Sequence, residues 1–129
     1  MTENKTVLLV EDDEEVAALV KIVLRKIEVV VVHRNNAMDA LSFLDQFTPD
    51  LILLDIGMPV MNGWQFLNEA RKDHDNIEDV VPVIVLTAFS DSTNRMESQL
   101  QGVKAFLSKP VTPSELREIV TRTLNLNCV

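Results

Sequence analysis

Short apolar runs alternate along the chain with longer stretches of helical periodicity. Five apolar runs lie at 7–10, 29–32, 51–54, 83–86 and 105–107, and the first four are rich in β-branched residues or leucine with no alternation of polar residues. Runs of this length are too short for buried helices and are typical of parallel strands that are covered on both faces. The pattern therefore predicts five buried strands.

The stretches between these runs carry apolar residues three and four positions apart, as on one face of a helix. The first such face comprises Val16, Val20, Val23, Leu24 and Ile27. The fourth stretch, 91–101, has only Met96 and Leu100 as apolar positions, so we expect its helix to be the least stable element and mobile. Five strands alternating with five helices predict a flavodoxin-like α/β fold, whose doubly wound five-stranded parallel sheet has the order 2-1-3-4-5.

Composition limits the classes of function. The 129 residues fit one domain, 1–129, and the net charge of −8 argues against direct nucleic-acid binding. No apolar run approaches the roughly 18–20 residues that span a bilayer, and the N-terminus has no signal-peptide profile. The single cysteine, Cys128, allows no disulfide within the chain. We therefore expect a cytoplasmic protein without membrane contact.

Acidic residues follow two of the predicted strands. Glu11, Asp12 and Asp13 come after the first apolar run, and Asp55 comes after the third. In open α/β sheets, ligands bind beyond the carboxyl ends of the strands where the strand order reverses, here between the first and third strands. Converging carboxylates repel one another unless a cation holds them together, so we expect Mg²⁺ at this edge.

Two further polar residues should reach the same edge. Thr87 ends the fourth apolar run and Lys109 follows the fifth. Such a set suits phosphoryl transfer to a carboxylate, in which Asp55 is the nucleophile and forms an acyl phosphate. Thr87 and Lys109 would contact the phosphoryl group. No general base is needed, because a carboxylate is already ionised at neutral pH.

Four segments in this order carry a family resemblance: Leu-Leu-Val-Glu-Asp-Asp at 8–13, Asp-Ile-Gly-Met-Pro-Val-Met-Asn-Gly at 55–63, Leu-Thr-Ala at 86–88 and Phe-Leu-Ser-Lys-Pro at 106–110. Along nearly its whole length the chain resembles the receiver (response-regulator) domain of two-component signalling. The resemblance implies that Asp55 accepts phosphate from a histidine kinase or histidine phosphotransfer protein. It also implies that Glu11, Asp12, Asp55 and the Gly57 carbonyl bind Mg²⁺.

The resemblance further implies that Thr87 and Lys109 contact the phosphoryl group, and that Phe106 takes the place of the switch aromatic. The Lys109–Pro110 bond is often cis in this family. Such a domain is a phosphorylation-dependent switch or phosphorelay intermediate, with an unidentified downstream protein partner. It is not an enzyme beyond its own phosphorylation and dephosphorylation.

Several alternatives stay open from the sequence. Asp12 and Asp13 could replace Glu11 and Asp12 as the metal-binding pair; otherwise Asp13 begins the first helix. An aspartate-nucleophile phosphatase of the haloacid-dehalogenase type is disfavoured, because it usually needs a second aspartate where this chain has Gly57. A flavodoxin-like cofactor binder is disfavoured because the first loop carries acids rather than a phosphate cradle. The chain could also be a receiver excised from a larger protein.

Other positions carry weaker expectations. Gly57 and Phe89 offer no hydrogen-bonding side chain beside the phosphoryl group, so we hypothesise that Phe89 shields the site and that dephosphorylation is slow. Phe106 replaces a tyrosine common in the family, so switching would depend on burial of the ring. We expect Gly63 to serve the loop backbone, and we expect His33 to be an ordinary surface histidine.

Overall fold

The computed structural model describes residues 4–74, 77, 80–87 and 102–126. Its five strands form one parallel sheet in the order β2-β1-β3-β4-β5, as predicted. The strands are β1 (Thr6–Val10), β2 (Val30–Arg34), β3 (Leu51–Asp55), β4 (Val83–Thr87) and β5 (Ala105–Ser108). The helices within the described residues are α1 (Glu14–Arg25), α2 (Ala37–Gln46), α3 (Gly63–Asp73) and α4 (Pro113–Thr123). The helix predicted at 91–101 lies outside the described residues.

Burial differs between the middle and the edges of the sheet. Strands β3 and β4 are buried along their whole length, and β1 is buried after its first residue. The edge strands β2 and β5 are only partly buried, and Val30 is exposed. Both faces of these two strands still contact apolar core residues, as Val31 and Val32 of β2 do on opposite faces, so their partial exposure reflects the single neighbouring strand of each and not an uncovered face.

The core consists of two apolar clusters on opposite faces of the sheet. Successive strand residues point to opposite faces, so Val7 and Leu9 join one cluster while Leu8 and Val10 join the other. The first cluster contains buried residues of α1 and α4, and the second contains those of α2 and α3. The sheet is thus a middle layer between two helical layers.

Polar caps begin each helix soon after a strand ends. Asp13 caps α1, Asn36 caps α2, Asn62 caps α3 and Thr112 caps α4, each accepting a hydrogen bond from a backbone N–H of the first turn. In the part of the chain that the structure describes, no helix is long and apolar enough to cross a membrane.

Candidate functional site

The carboxyl edge of the sheet brings together polar residues from four segments. Glu11 directly follows β1, Asp55 is the last residue of β3, Thr87 is the last residue of β4, and Lys109 directly follows β5. Because β1 pairs with β3 and β3 with β4, the ends of these strands are neighbours at one edge. The parallel register thus places distant parts of the sequence side by side.

Three acids at this edge form a compact cluster. Glu11, Asp12 and Asp55 each offer a carboxylate oxygen, and the three oxygens lie within 4.8 Å of one another. Glu11 is fully buried and Asp55 is 4% exposed, whereas Asp12 is exposed. The cluster therefore has a buried inner side and a solvent-accessible outer side, through which a small ligand can enter.

Lys109 places its ammonium group between the two buried acids. Its Nζ lies 2.9 Å from Glu11 Oε1 and 3.5 Å from Asp55 Oδ1. The Lys109 backbone N–H donates a hydrogen bond to the Thr87 carbonyl at 2.6 Å, and the Lys109–Pro110 peptide bond is cis. The lysine is thus anchored to the end of β4 and directed at the acids.

The environment separates the pKa values of the two buried acids. Burial, together with the nearby Asp55, raises the pKa of Glu11 from 4.5 to about 8. Burial alone would also raise the pKa of Asp55, but its contact with Glu11, the N–H of Gly57 and the charge of Lys109 lower it overall. In the absence of a cation, Asp55 therefore stays ionised at neutral pH, while Glu11 holds a proton more strongly than an ordinary glutamate does.

The neighbouring groups respond in the same way. Burial, followed by the contact with Asp55, raises the pKa of Asp12. Burial would lower the pKa of Lys109, but its contacts with Glu11 and Asp55 raise it overall, so the ammonium stays charged. The site thus combines one carboxylate, two acids with a raised affinity for protons and one permanent cation.

The donor set fits a hard divalent cation. Oxygen atoms of three carboxylates converge, and Mg²⁺ prefers oxygen ligands and retains several waters. Glu11 Oε1 is fully buried, and among the described residues it lies 2.9 Å from Lys109 Nζ without the geometry of a hydrogen bond. A buried oxygen of this kind has a lone pair available for a metal ion, which would replace the proton that Glu11 otherwise holds.

Asp13 has a different function from the other acids of its segment. Its Oδ1 accepts hydrogen bonds from the N–H groups of Glu15 and Val16, at 2.9 and 3.3 Å, and so caps α1. Its own N–H donates to Glu11 Oε2 at 3.2 Å. Of the two pairs that the sequence left open, the acid cluster contains Glu11 and Asp12, while Asp13 begins the helix.

The loop after β3 fixes the position of Asp55. The Gly57 N–H donates to Asp55 Oδ1 at 3.0 Å. Gly63, the first residue of α3, packs directly against this segment: a Cβ atom there would lie 2.7 Å from the Asp55 carbonyl oxygen and 2.7 Å from Ile56 Cα. Only glycine allows so close an approach, so Gly63 holds the start of α3 against the backbone of the central acid.

Sequence reasoning missed the position of His33. Its Nε2 lies 2.8 Å from the Glu11 carbonyl oxygen, so this residue supports the backbone at the site rather than being an ordinary surface histidine. The available signal was its place near the end of β2, the strand that pairs with β1.

Thr87 is 1% exposed, and Phe106 is partly buried against the α2–α3 cluster. Phe89 lies outside the described residues, so the shielding hypothesis stays a prediction.

Comparison with known proteins decides the family. Residues 7–121 match the response regulator receiver domain family. The chain belongs to this family. This receiver domain is 35% identical over 129 residues to the response regulator Rre1 of Synechocystis, covering 96% of this chain and 53% of that protein. It is 34% identical over 124 residues to the probable transcriptional regulator ycf27 of Guillardia theta, covering 93% of this chain and 47% of that protein. The receiver domain thus spans about half the length of these two curated relatives.

Solved structures agree with the receiver assignment. A putative response regulator from Chloroflexus aurantiacus superposes with a TM-score of 0.86 at 28% identity, covering 95% of this chain and 99% of the other. The receiver fold accounts for the strand order β2-β1-β3-β4-β5. The haloacid-dehalogenase alternative is not favoured.

Proposed function

We propose that Asp55 accepts a phosphoryl group from a histidine kinase or a histidine phosphotransfer protein, and that the phosphorylated domain changes its partner-binding surface. The observation that carries this proposal is the environment of Asp55. Its pKa is lowered although it is buried, and it lies 3.5 Å from the Lys109 ammonium beside two further acids. The proposed nucleophile, the Asp55 carboxylate, is thus ionised and faces the positive charge of Lys109.

The chemistry is a transfer between two nucleophiles. A carboxylate oxygen of Asp55 attacks the phosphorus atom of a phosphohistidine, an O–P bond forms, and the P–N bond to the imidazole breaks. The products are an aspartyl phosphate and a neutral imidazole after proton uptake by the departing nitrogen. Lys109 neutralises part of the charge on the phosphoryl oxygens, and the Thr87 hydroxyl donates a hydrogen bond to one of them.

Glu11, Asp12 and Asp55, together with the Gly57 carbonyl, would hold Mg²⁺ in this proposal. When bound, the ion supplies positive charge that offsets the negative charge of the phosphoryl group. The protein residues determine where that charge lies, because the backbone of Glu11 is bound by His33 and Asp55 is bound by the Gly57 N–H. These contacts keep the acids in place before the phosphodonor arrives.

The switch would use Thr87 and Phe106. The two residues lie on neighbouring strands, since β4 pairs with β5 and Val85 is opposite Phe106. A phosphoryl group on Asp55 would draw the Thr87 hydroxyl towards it, leaving space that the Phe106 ring can occupy. This is a two-state equilibrium that a charged modification biases. The domain is therefore a signalling switch or a phosphorelay intermediate rather than an enzyme acting on a separate substrate.

The proposal is tested by intact-mass spectrometry after incubation with acetyl phosphate and Mg²⁺. The parent protein should gain the mass of one phosphoryl group, and Asp55→Asn should gain none. Asp45→Asn is the matched control, because Asp45 is an exposed aspartate on α2, away from the acid cluster. It should be modified like the parent. Modification of Asp55→Asn to the parent level would refute Asp55 as the phosphoacceptor.

The requirement for a cation is tested in the same assay. Excess EDTA should abolish the gain in mass if the acids must hold Mg²⁺. Equal modification with and without EDTA would contradict the proposed cation site. A histidine-kinase core as the phosphodonor then tests the proposed partner class separately from the chemistry at Asp55.

A further inference from the structure

The hydrogen-bond ladder between β1 and β2 stops one group short of completing Glu11. In a parallel pair, a residue that donates its N–H to the neighbouring strand turns its carbonyl towards the same strand. The last ladder bond at this end runs from the Glu11 N–H to the Arg34 carbonyl at 3.1 Å. The Glu11 carbonyl comes next on that side, but β2 ends at Arg34 and provides no further residue to pair with it.

His33 supplies the missing donor from its side chain. Its Nε2 lies 2.8 Å from the Glu11 carbonyl oxygen, and because a carbonyl only accepts hydrogen bonds, Nε2 carries the proton and donates it. Among the described residues, no backbone N–H donates to this carbonyl. Since Glu11 is fully buried, the carbonyl would otherwise lack both a protein partner and ready access to water.

This bond also sets the orientation of the peptide that joins Glu11 to Asp12. A peptide unit is planar, so the direction of its carbonyl fixes the direction of its N–H and of the next Cα atom. The Arg34 carbonyl holds the peptide before Glu11, and the imidazole of His33 holds the peptide after it. The path of the chain into Asp12 therefore depends on the His33 side chain.

The three clustered acids differ in how their carboxylates are anchored. Glu11 Oε2 accepts from the Asp13 N–H at 3.2 Å, and Asp55 Oδ1 accepts from the Gly57 N–H at 3.0 Å. Asp12 is the exposed member of the cluster, and its carboxylate faces the two other acids. Its place in the cluster therefore depends most on the backbone that carries it.

We propose that His33 is a positioning residue for the cation site. Its ring N–H holds the Glu11–Asp12 peptide so that the Asp12 carboxylate stays beside that of Asp55. This inference rests on the proposed function, in which these acids hold Mg²⁺. Groups that orient metal ligands in this way typically change the affinity for the metal about 10–100-fold. In this role His33 acts through the backbone of the acids and is not itself a ligand.

Titration of the protein with Mg²⁺ alone, followed by the NMR signals of the backbone amides, measures this role without a phosphodonor. His33→Gln and His33→Asn form a matched pair, since both side chains end in an amide that can donate. The glutamine amide reaches about as far as Nε2 of histidine, whereas asparagine is shorter by one CH₂ group. His33→Asn should raise the dissociation constant for Mg²⁺ by about tenfold or more, and His33→Gln should stay close to the parent.

Two further variants guard against effects on folding, which the same spectra report. His33→Phe retains a flat ring without an N–H, so it should lose affinity as His33→Asn does, even if His33→Asn fails to fold. His74→Asn is the control at a second histidine, because His74 lies at the end of α3 and contacts Asp45 rather than the acid cluster. It should bind Mg²⁺ like the parent.

A purely structural role for His33 makes a different prediction. The variants without the donor would then unfold at lower urea concentration in EDTA but would bind Mg²⁺ as tightly as the parent while folded. That result would overturn the positioning role and leave the proposed phosphorylation of Asp55 standing. A parent protein that does not bind Mg²⁺ would overturn the proposed cation site, and this inference with it.

Discussion

Replacement of Glu11 by glutamine should stabilise the protein when no cation is present. Glu11 is fully buried next to Asp55, and its pKa is raised from 4.5 to about 8, with burial as the largest cause. An unfolded chain ionises this carboxyl freely, whereas the folded protein retains its proton. Folding must therefore take up a proton between these two pH values, and glutamine removes that requirement while keeping a similar shape.

The sign and size of this difference in stability follow from proton linkage. A carboxyl whose pKa is raised on folding contributes its full stability below pH 4.5 and loses it progressively up to about pH 8. Each pH unit within this interval corresponds to ~1.4 kcal/mol. At pH 7 the loss is about 3 kcal/mol, a large part of the 5–15 kcal/mol that is typical of a folded domain. Glu11→Gln should avoid this loss.

Urea denaturation in EDTA, followed by circular dichroism at pH values from 5 to 8, measures this difference. At pH 7 the midpoint for Glu11→Gln should exceed that of the parent by about 2 M urea, from slopes of ~1–3 kcal/mol/M. The difference should shrink towards pH 5. Glu15→Gln, an exposed position on α1, controls for the loss of one negative charge.

Added Mg²⁺ should reverse the order of stability, because in the proposed site Glu11 is a ligand of the ion and the variant lacks that ligand. A variant that is less stable than the parent in EDTA at every pH would refute the reasoning. So would a difference in stability that stays constant between pH 5 and pH 8.

The remaining predictions concern backbone geometry and Lys109. Val60 has φ 68 in a turn that the Met61 N–H closes by donating to the Pro59 carbonyl, and its side chain is fully exposed. Val60→Gly should therefore raise the free energy of unfolding by about 1 kcal/mol in thermal unfolding, whereas Val60→Ala should not. Gly63→Ala should destabilise the protein by about 1–3 kcal/mol through overpacking, as measured by urea denaturation. At Gly57 an added Cβ would lie 3.6 Å from Asp55 Oδ1, which is an ordinary contact, so Gly57→Ala should change stability far less. Lys109→Met should slow phosphorylation by acetyl phosphate about 100-fold in a mass-spectrometric time course, with normal binding of Mg²⁺.

Each of these predictions has an outcome that contradicts it. Equal stability of Val60→Gly and Val60→Ala would show that the left-handed backbone at this position carries no strain. A fully stable Gly63→Ala would show that α3 can move away from the Asp55 backbone at little cost. For Lys109, the matched control is Lys72→Met, which removes only an exposed contact with Glu69. Equal phosphorylation rates for the two lysine variants would exclude charge neutralisation by Lys109.

The sequence predicts the order of the sheet well because each strand is a short apolar run, and the runs alternate with helical periodicity. It also predicts that acids after the first and third strands gather at the carboxyl edge, because parallel strands bring their carboxyl ends to the same side, but it does not decide between Glu11 and Asp13 as the partner of Asp12. The exposure of β2 is not predictable from its sequence, because its run of valines resembles that of a central strand. Only the order of the strands places β2 at an edge of the sheet.

Contacts that involve the backbone also cannot be predicted from the sequence alone. His33 reaches the Glu11 carbonyl because the register pairs Leu9 with His33, and the residue type alone gives no such information. Gly63 is a similar case: its close approach to the Asp55 carbonyl depends on where α3 begins relative to β3. Both require the three-dimensional path of the chain, which local periodicity does not specify.

The separation of the core into two clusters has a consequence for how a signal could travel. Phe106 packs with the cluster that contains α2 and α3, whereas its neighbours Ala105 and Leu107 pack with the opposite cluster. In the proposed switch, a rotation of the Phe106 ring would act on the layer that contains α2 and α3, while Ala105 and Leu107 would keep their contacts with the layer that contains α1 and α4. A chemical event at Asp55 would then reshape one side of the sheet and leave the other side in place.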